Sequence, residues 1–164
     1  MKAKGILFLL FMIVFKVAFS QELQRIEIDE NINIKIPIDY NQVEGGDTLT
    51  IVAFTTTGKL KIERINLSSN LNFSHEDVDG LKYFVDGYIK GMDFGVGLEL
   101  FENSKGLLDG FQTRKIRYRV NSKEQIIETL FLVLDKQLYQ FQYTENSLLL
   151  SEDTQIIFSS IRVK

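Results

Sequence analysis

A chain of 164 residues, or 144 once a leader of twenty is removed, is the length of one ordinary domain with material for a real core. Hydrophobic residues make up 45% and charged residues 25%, which excludes a disordered or collagen-like chain. The absence of cysteine excludes thiol catalysis, disulfides, iron–sulfur clusters, thiolate zinc sites and an acylated lipoprotein cysteine, and a single histidine leaves little room for a histidine metal site or a catalytic triad.

Met1 to Lys4 is a basic start, Gly5 to Val14 an almost pure apolar run, and Ala18-Phe19-Ser20 offers the small residues a signal peptidase needs before Gln21. This is the three-part pattern of a secretory signal peptide, predicted over residues 1–20, with one domain over 21–164. The alternative is an uncleaved anchor. The apolar stretch from Gly5 to Phe19 is shorter than the roughly 20 residues that span a bilayer core, and Lys16 interrupts it. Removing Lys2, Lys4 and Lys16 leaves 16 basic against 22 acidic residues, a mature charge of −6. That balance argues against nucleic acid and anionic membrane surfaces as partners. No later stretch is long and apolar enough to span a membrane. The Ile-, Asn- and Lys-rich usage suggests a low-GC bacterium, and the leader directs the chain to the periplasm or the exterior.

From Gln24 to Ile38, Ile26, Ile28, Ile32, Ile34, Ile36 and Ile38 share even parity, the period of a half-buried strand or of a hairpin turning at Asp29-Glu30-Asn31. Asn41 to Asp47, with Gly45-Gly46, reads as a loop. Thr48 to Thr56 and Lys59 to Leu67 read as strands joined in a hairpin. Ser74-His75-Glu76-Asp77 opens a helix with an N-cap and an acidic first turn. Its apolar face is Val78, Leu81, Val85, Tyr88 and Ile89, and Gly91 is expected to end it in a left-handed conformation. Phe94 to Glu102 reads as a strand and Asn103 to Gly110 as a turn. Thr113 to Val120 alternates, with Ile116, Tyr118 and Val120 on one face and Lys115, Arg117 and Arg119 on the other. A four-residue turn at Asn121 to Glu124 would set Arg117 opposite Glu128 on Gln125 to Leu134, on the exposed face. Asp135-Lys136 turns the chain into Leu138 to Tyr143, and Ser151 caps a last helix through Ser160. Strands, one helix, strands and one helix give an α+β domain.

Candidate chemistry is sparse. His75 reads as a solvated side chain at a helix start, where the dipole opposes protonation. Glu76, Asp77 and Asp79, like Glu152 and Asp153, are what dipole complementation predicts, and their spacing is not that of a calcium loop. Gly91, Gly95 and Gly97 follow a helix, whereas a dinucleotide fingerprint follows a strand. No cofactor or metal motif is present. Lys115, Arg117 and Arg119, with Arg114, form the basic stripe of the chain. It is read either as a surface for an anionic partner or as an exposed strand face whose charges discourage edge pairing. Phe131, Tyr139, Phe141 and Tyr143, with Tyr83, Phe84 and Tyr88, are read as core, or as the lining of an apolar pocket.

The order and spacing of these segments resemble the PsbP-like superfamily, whose fold is shared with the Ran-binding nuclear import factors. Ile34-Lys35-Ile36-Pro37-Ile38-Asp39-Tyr40 is similar to that family's opening strand, and Leu108-Asp109-Gly110-Phe111 to the glycine before its central strands. Leu138 to Tyr143 and Asp153 to Ile161 are similar to its last strand and docking helix. The family usually carries Trp where Tyr40 stands. The resemblance implies an antiparallel sheet flanked by helices in an α-β-α arrangement and assigns no activity. The expected role is a small exported, non-catalytic protein that binds another envelope protein or assists envelope assembly. The alternatives are a carrier of a small apolar ligand between sheet and helix, and a hydrolase or isomerase using paired carboxylates.

Overall fold

The computed structural model describes residues 22–67, 78–92, 97–149 and 151–164. The leader over residues 1–20 and the expectations placed on Ser74, His75, Glu76, Asp77 and Gly95 lie outside them. Among the described residues, ten strands and two α-helices run in the order β1 (Leu23–Glu27), β2 (Ile32–Pro37), β3 (Tyr40–Gly45), β4 (Thr48–Phe54), β5 (Gly58–Asn66), α1 (Val78–Gly91), β6 (Leu98–Leu108), β7 (Phe111–Val120), β8 (Gln125–Leu134), β9 (Gln137–Glu145), α2 (Glu152–Ser159) and β10 (Arg162–Val163). Seven strands form one antiparallel sheet in the order β3-β4-β5-β9-β8-β7-β6, and β1-β2-β10 form a small second sheet. The fold is α+β and sheet-dominated.

Alternation along the central strands sends side chains to two different cores. On one face Ile51, Leu60, Ile62, Leu132, Tyr139 and Phe141 pack under the small sheet, whose Ile32, Ile34 and Ile36 are fully buried. Ile157 and Ile161, from α2 and just beyond it, close the same cluster. On the other face Ile116, Tyr118, Phe131, Val133 and Leu138 receive Leu81 and Val85 of α1. Phe131 meets Phe84 and Tyr88 edge-on, with centroids 6.0 and 5.1 Å away. Leu81, Val85, Tyr88 and Ile89 of the helix face read from sequence therefore dock, and the layers run α1, large sheet, small sheet with α2.

Gly58 has a packing reason. A Cβ there would stand 2.2 Å from the Thr144 carbonyl oxygen, so no larger residue fits without shifting the β5–β9 pair.

Three local expectations are corrected. Residues 41–45, read as a loop, belong to edge strand β3, paired with β4 from Tyr40↔Ala53 to Gly45↔Thr48. Exposed on both faces over 41–45, this strand carries no hydrophobic period. Asn103 to Leu108, read as part of a turn, continues β6, and the turn shrinks to Asp109-Gly110 with φ of 49° and 92°. Gly91 does not turn left-handed. It stays in the last turn of α1, and the Met92 amide donates to the carbonyls of Tyr88 and Ile89. The two-residue strand β10 had no signal in sequence.

The small sheet is also fastened by polar contacts. The Tyr139 hydroxyl lies 2.6 Å from both Asp29 Oδ2 and Gln137 Oε1, and Arg64 reaches Asp29 at 3.6 Å and Glu44 at 3.1 Å. Burial pushes the Tyr139 hydroxyl well above the usual tyrosine range, and the adjacent Asp29 pushes it further. Burial likewise raises Tyr118, Tyr88 and Tyr143. The unfolded chain therefore loses these protons at lower pH than the folded one, so their contribution to stability is present below the unfolded value of 10.0 and is lost as pH climbs past it. The urea midpoint is expected to hold steady up to about pH 9 and fall steeply above about pH 10, with a shallower fall in Tyr139→Phe. A midpoint flat to about pH 11 would refute this.

Candidate partner surface

The basic stripe stands on β7, on the face of the large sheet turned away from α1. Lys115, Arg117 and Arg119 alternate along β7 with Ile116 and Tyr118, which face α1, as the sequence pattern requires. Each cation is met by a carboxylate. Lys115 Nζ lies 2.9 Å from Glu102 Oε1, and Arg117 Nη1 lies 3.1 Å from Glu102 Oε2. Arg117 also donates to Glu128 Oε2 through Nε at 2.8 Å and Nη2 at 2.5 Å. Arg119 Nη1 lies 3.5 Å from Glu99 Oε2.

The expected register of Arg117 opposite Glu128 holds, produced by the turn at Asn121 to Glu124. Glu128, however, is buried at 7% exposure, so the pair is more sheltered than a surface pair on an open strand. The other two carboxylates owe their place to an irregularity. Glu99 and Glu102 are three residues apart and would point to opposite faces of a regular strand. A β-bulge between Leu100 and Glu102 takes up one residue, so Glu99 pairs with Arg119 and Glu102 with Arg117 on the same face. The bulged Phe101 lies with its ring 5.9 Å from the Arg117 guanidinium carbon. Burial alone would raise the Glu102 carboxyl. Hydrogen bonds from Lys115 and Ser104, with the charge of Arg117, outweigh it and hold the group below the usual range.

Three cations and three carboxylates make this surface a locally neutral ion-pair lattice with fixed side chains. Arg114, grouped with the stripe in sequence, has the opposite parity. It is buried at 8% exposure and donates to Asn103 Oδ1 at 2.5 Å.

A second polar cluster joins the lattice along the sheet, since Tyr143 stands opposite Glu128 in the β8–β9 register. The Tyr143 hydroxyl bonds Thr55 and Thr57, and Thr57 Oγ1 donates to Asp153 Oδ2 at 3.0 Å. Glu145, fully buried, accepts from the Ser151 amide at 2.9 Å, from the Ser151 hydroxyl at 2.5 Å and from Thr154. Ser151 in turn caps α2, as its sequence position predicts. These groups fasten α2 to the sheet.

The aromatic residues grouped in sequence are divided by the sheet. Phe131 and the helix aromatics Phe84 and Tyr88 lie on the α1 face, while Tyr139, Phe141 and Tyr143 lie on the other, so they do not line one pocket. Tyr83 is exposed. Among the described residues, no cluster of three or more His, Asp or Glu side chains gathers to hold a metal, and no helix is long and apolar enough to cross a membrane.

This architecture has counterparts among solved structures. The solution structure of cyanobacterial PsbP (CyanoP) from Synechocystis sp. PCC 6803 matches with a TM-score of 0.59 at 15% identity, over 87% of this chain and 92% of that one. The crystal structure of LpqN, involved in cell envelope biogenesis of Mycobacterium tuberculosis, matches with a TM-score of 0.53 at 14% identity, over 87% and 91%. The chain has the PsbP-like fold that its sequence pattern implies. No family model and no curated protein sequence matches it.

Proposed function

We propose that the protein is a small exported, non-catalytic protein that binds another protein of the cell envelope through the β6–β7–β8 face. The observation that carries this reading is the partly exposed row of Lys115, Arg117 and Arg119, each oriented in advance by a carboxylate on a neighbouring strand. Side chains already held in place lose less freedom on association than free lysines and arginines do, so such a row is suited to a rigid, polar contact. Its local neutrality favours a partner with charges of both signs rather than a purely anionic one. On this face Glu99, Glu102 and Glu128 are engaged in ion pairs and Glu145 and Asp153 in fastening α2, which supports a binding role over acid–base chemistry. The apolar leader supports export, and the involvement of LpqN in envelope biogenesis fits an envelope setting for this fold.

The test is capture of partners from envelope extract by the tagged protein. A single stoichiometric partner is expected, held about tenfold more weakly by the double variant Lys115→Ala/Arg119→Ala. These two positions are chosen because both are a third or more exposed, so their loss leaves the fold intact. Undiminished capture by the double variant would remove this face from the reading, and recovery of the bait alone would remove the reading itself.

A further inference from the structure

The described residues leave the large sheet with two edge strands, and these differ in construction. β6 carries a bulge and spreads Glu99, Glu102 and Lys105 along its length, features that obstruct pairing with another strand. β3 has no proline, no lysine and no bulge, and residues 41–45 are all exposed. Its one acidic side chain, Glu44, is engaged by Arg64 at 3.1 Å. The two-residue turn Gly46-Asp47 makes Gly45 and Thr48 the hydrogen-bonded pair that closes the hairpin. Alternation from there directs the N–H and C=O groups of Tyr40, Gln42 and Glu44 away from β4.

We propose that β3 is the seam of a homodimer in which two copies of this chain pair strand to strand, antiparallel, about a two-fold axis at Gln42. In that register Tyr40 of one copy faces Glu44 of the other, Asn41 faces Val43, and no two like charges stand opposite. The segment is self-complementary, which an isologous interface demands and an unrelated partner does not. The flanking face is also locally balanced, with Lys61 and Glu63 paired at 2.8 Å. Two molecules that each carry net negative charge approach with least repulsion where the local charge cancels. Val43, 69% exposed, and Phe54, 57% exposed, stand on the same side of β3 and β4 and gain cover from the second copy. The result is a continuous fourteen-stranded sheet, twice the seven strands of one copy. Both partner surfaces proposed above, at the β6 ends, remain open and face outward.

Sedimentation equilibrium of the purified protein across the micromolar range tests the seam. A concentration-dependent dimer is expected. Val43→Lys puts a charge on the exposed face of the seam, and Gln42→Pro deletes an outward amide donor without touching the β4 ladder. Each is expected to weaken the dimer about tenfold or more. Leu107→Lys, on the other edge and 73% exposed, is expected to leave it unchanged, with circular dichroism confirming that all three variants fold. A wild-type protein that stays monomeric throughout, or a dimer that survives both β3 variants, overturns the proposal.

Discussion

Phe131→Ala is expected to destabilise the fold by about 3–5 kcal/mol, measured as the loss in unfolding free energy by urea titration. Its side chain has no exposed surface and is held between the sheet and α1, with the Phe84 and Tyr88 rings edge-on against it. Truncation removes the ring's burial and both aromatic contacts, and it leaves a hole that neighbouring strands cannot close without moving α1. Tyr83→Ala on the outer side of the same helix is the internal comparison. Tyr83 is 70% exposed, so its loss is expected to change stability by no more than about 0.5 kcal/mol. Equal losses from the two substitutions would mean that α1 does not dock by the face described.

Arg117→Ala is expected to cost about 2–4 kcal/mol, far more than a surface charge is worth. The reason lies in what remains. Glu128, whose side chain is only 9% exposed, would lose the guanidinium that donates to it twice. Adding Glu128→Gln to that background removes the stranded carboxyl and is expected to restore part of the loss. A single variant within about 0.5 kcal/mol of wild type would show that the carboxylate finds water instead. The contrast with Lys115 and Arg119 follows from position on the strand. Glu102 remains bound to Arg117 when Lys115 is lost, and Glu99, on the exposed margin, can be hydrated when Arg119 is lost.

The parts of this architecture legible in sequence are those with a wet side and a dry side. The isoleucines from Ile26 to Ile36 have a period of two because the small sheet lays one face on the core, and α1 declares itself through Leu81 and Val85 for the same reason. β3 has water on both faces over residues 41–45, and Asn103, Ser104 and Lys105 of β6 are polar on both faces, so no hydrophobic period shows in either segment. The basic row was legible as alternation, and Glu128 as its partner through the length of a turn. Glu99 and Glu102 were not, because reading them as partners requires a bulge that reverses the parity of one strand. Arg114 was grouped with its sequence neighbours although parity alone assigns it to the other side. The division of the aromatics between two faces was open to the same count of odd and even positions.

The hairpin of β1 and β2 has a consequence in time as well as in space. Asn33 pairs with Arg162, so one flank of β2 is completed only by residues at the far end of the described chain. Local contacts form early and such distant ones late, which leaves Ile32, Ile34 and Ile36 without their full cover until synthesis has passed β10. A nascent chain is thereby kept from closing its own core prematurely. Pulsed hydrogen exchange during refolding is expected to protect the β8–β9 amides before those of β2, and the reverse order would discard this view of how the molecule reaches its final shape.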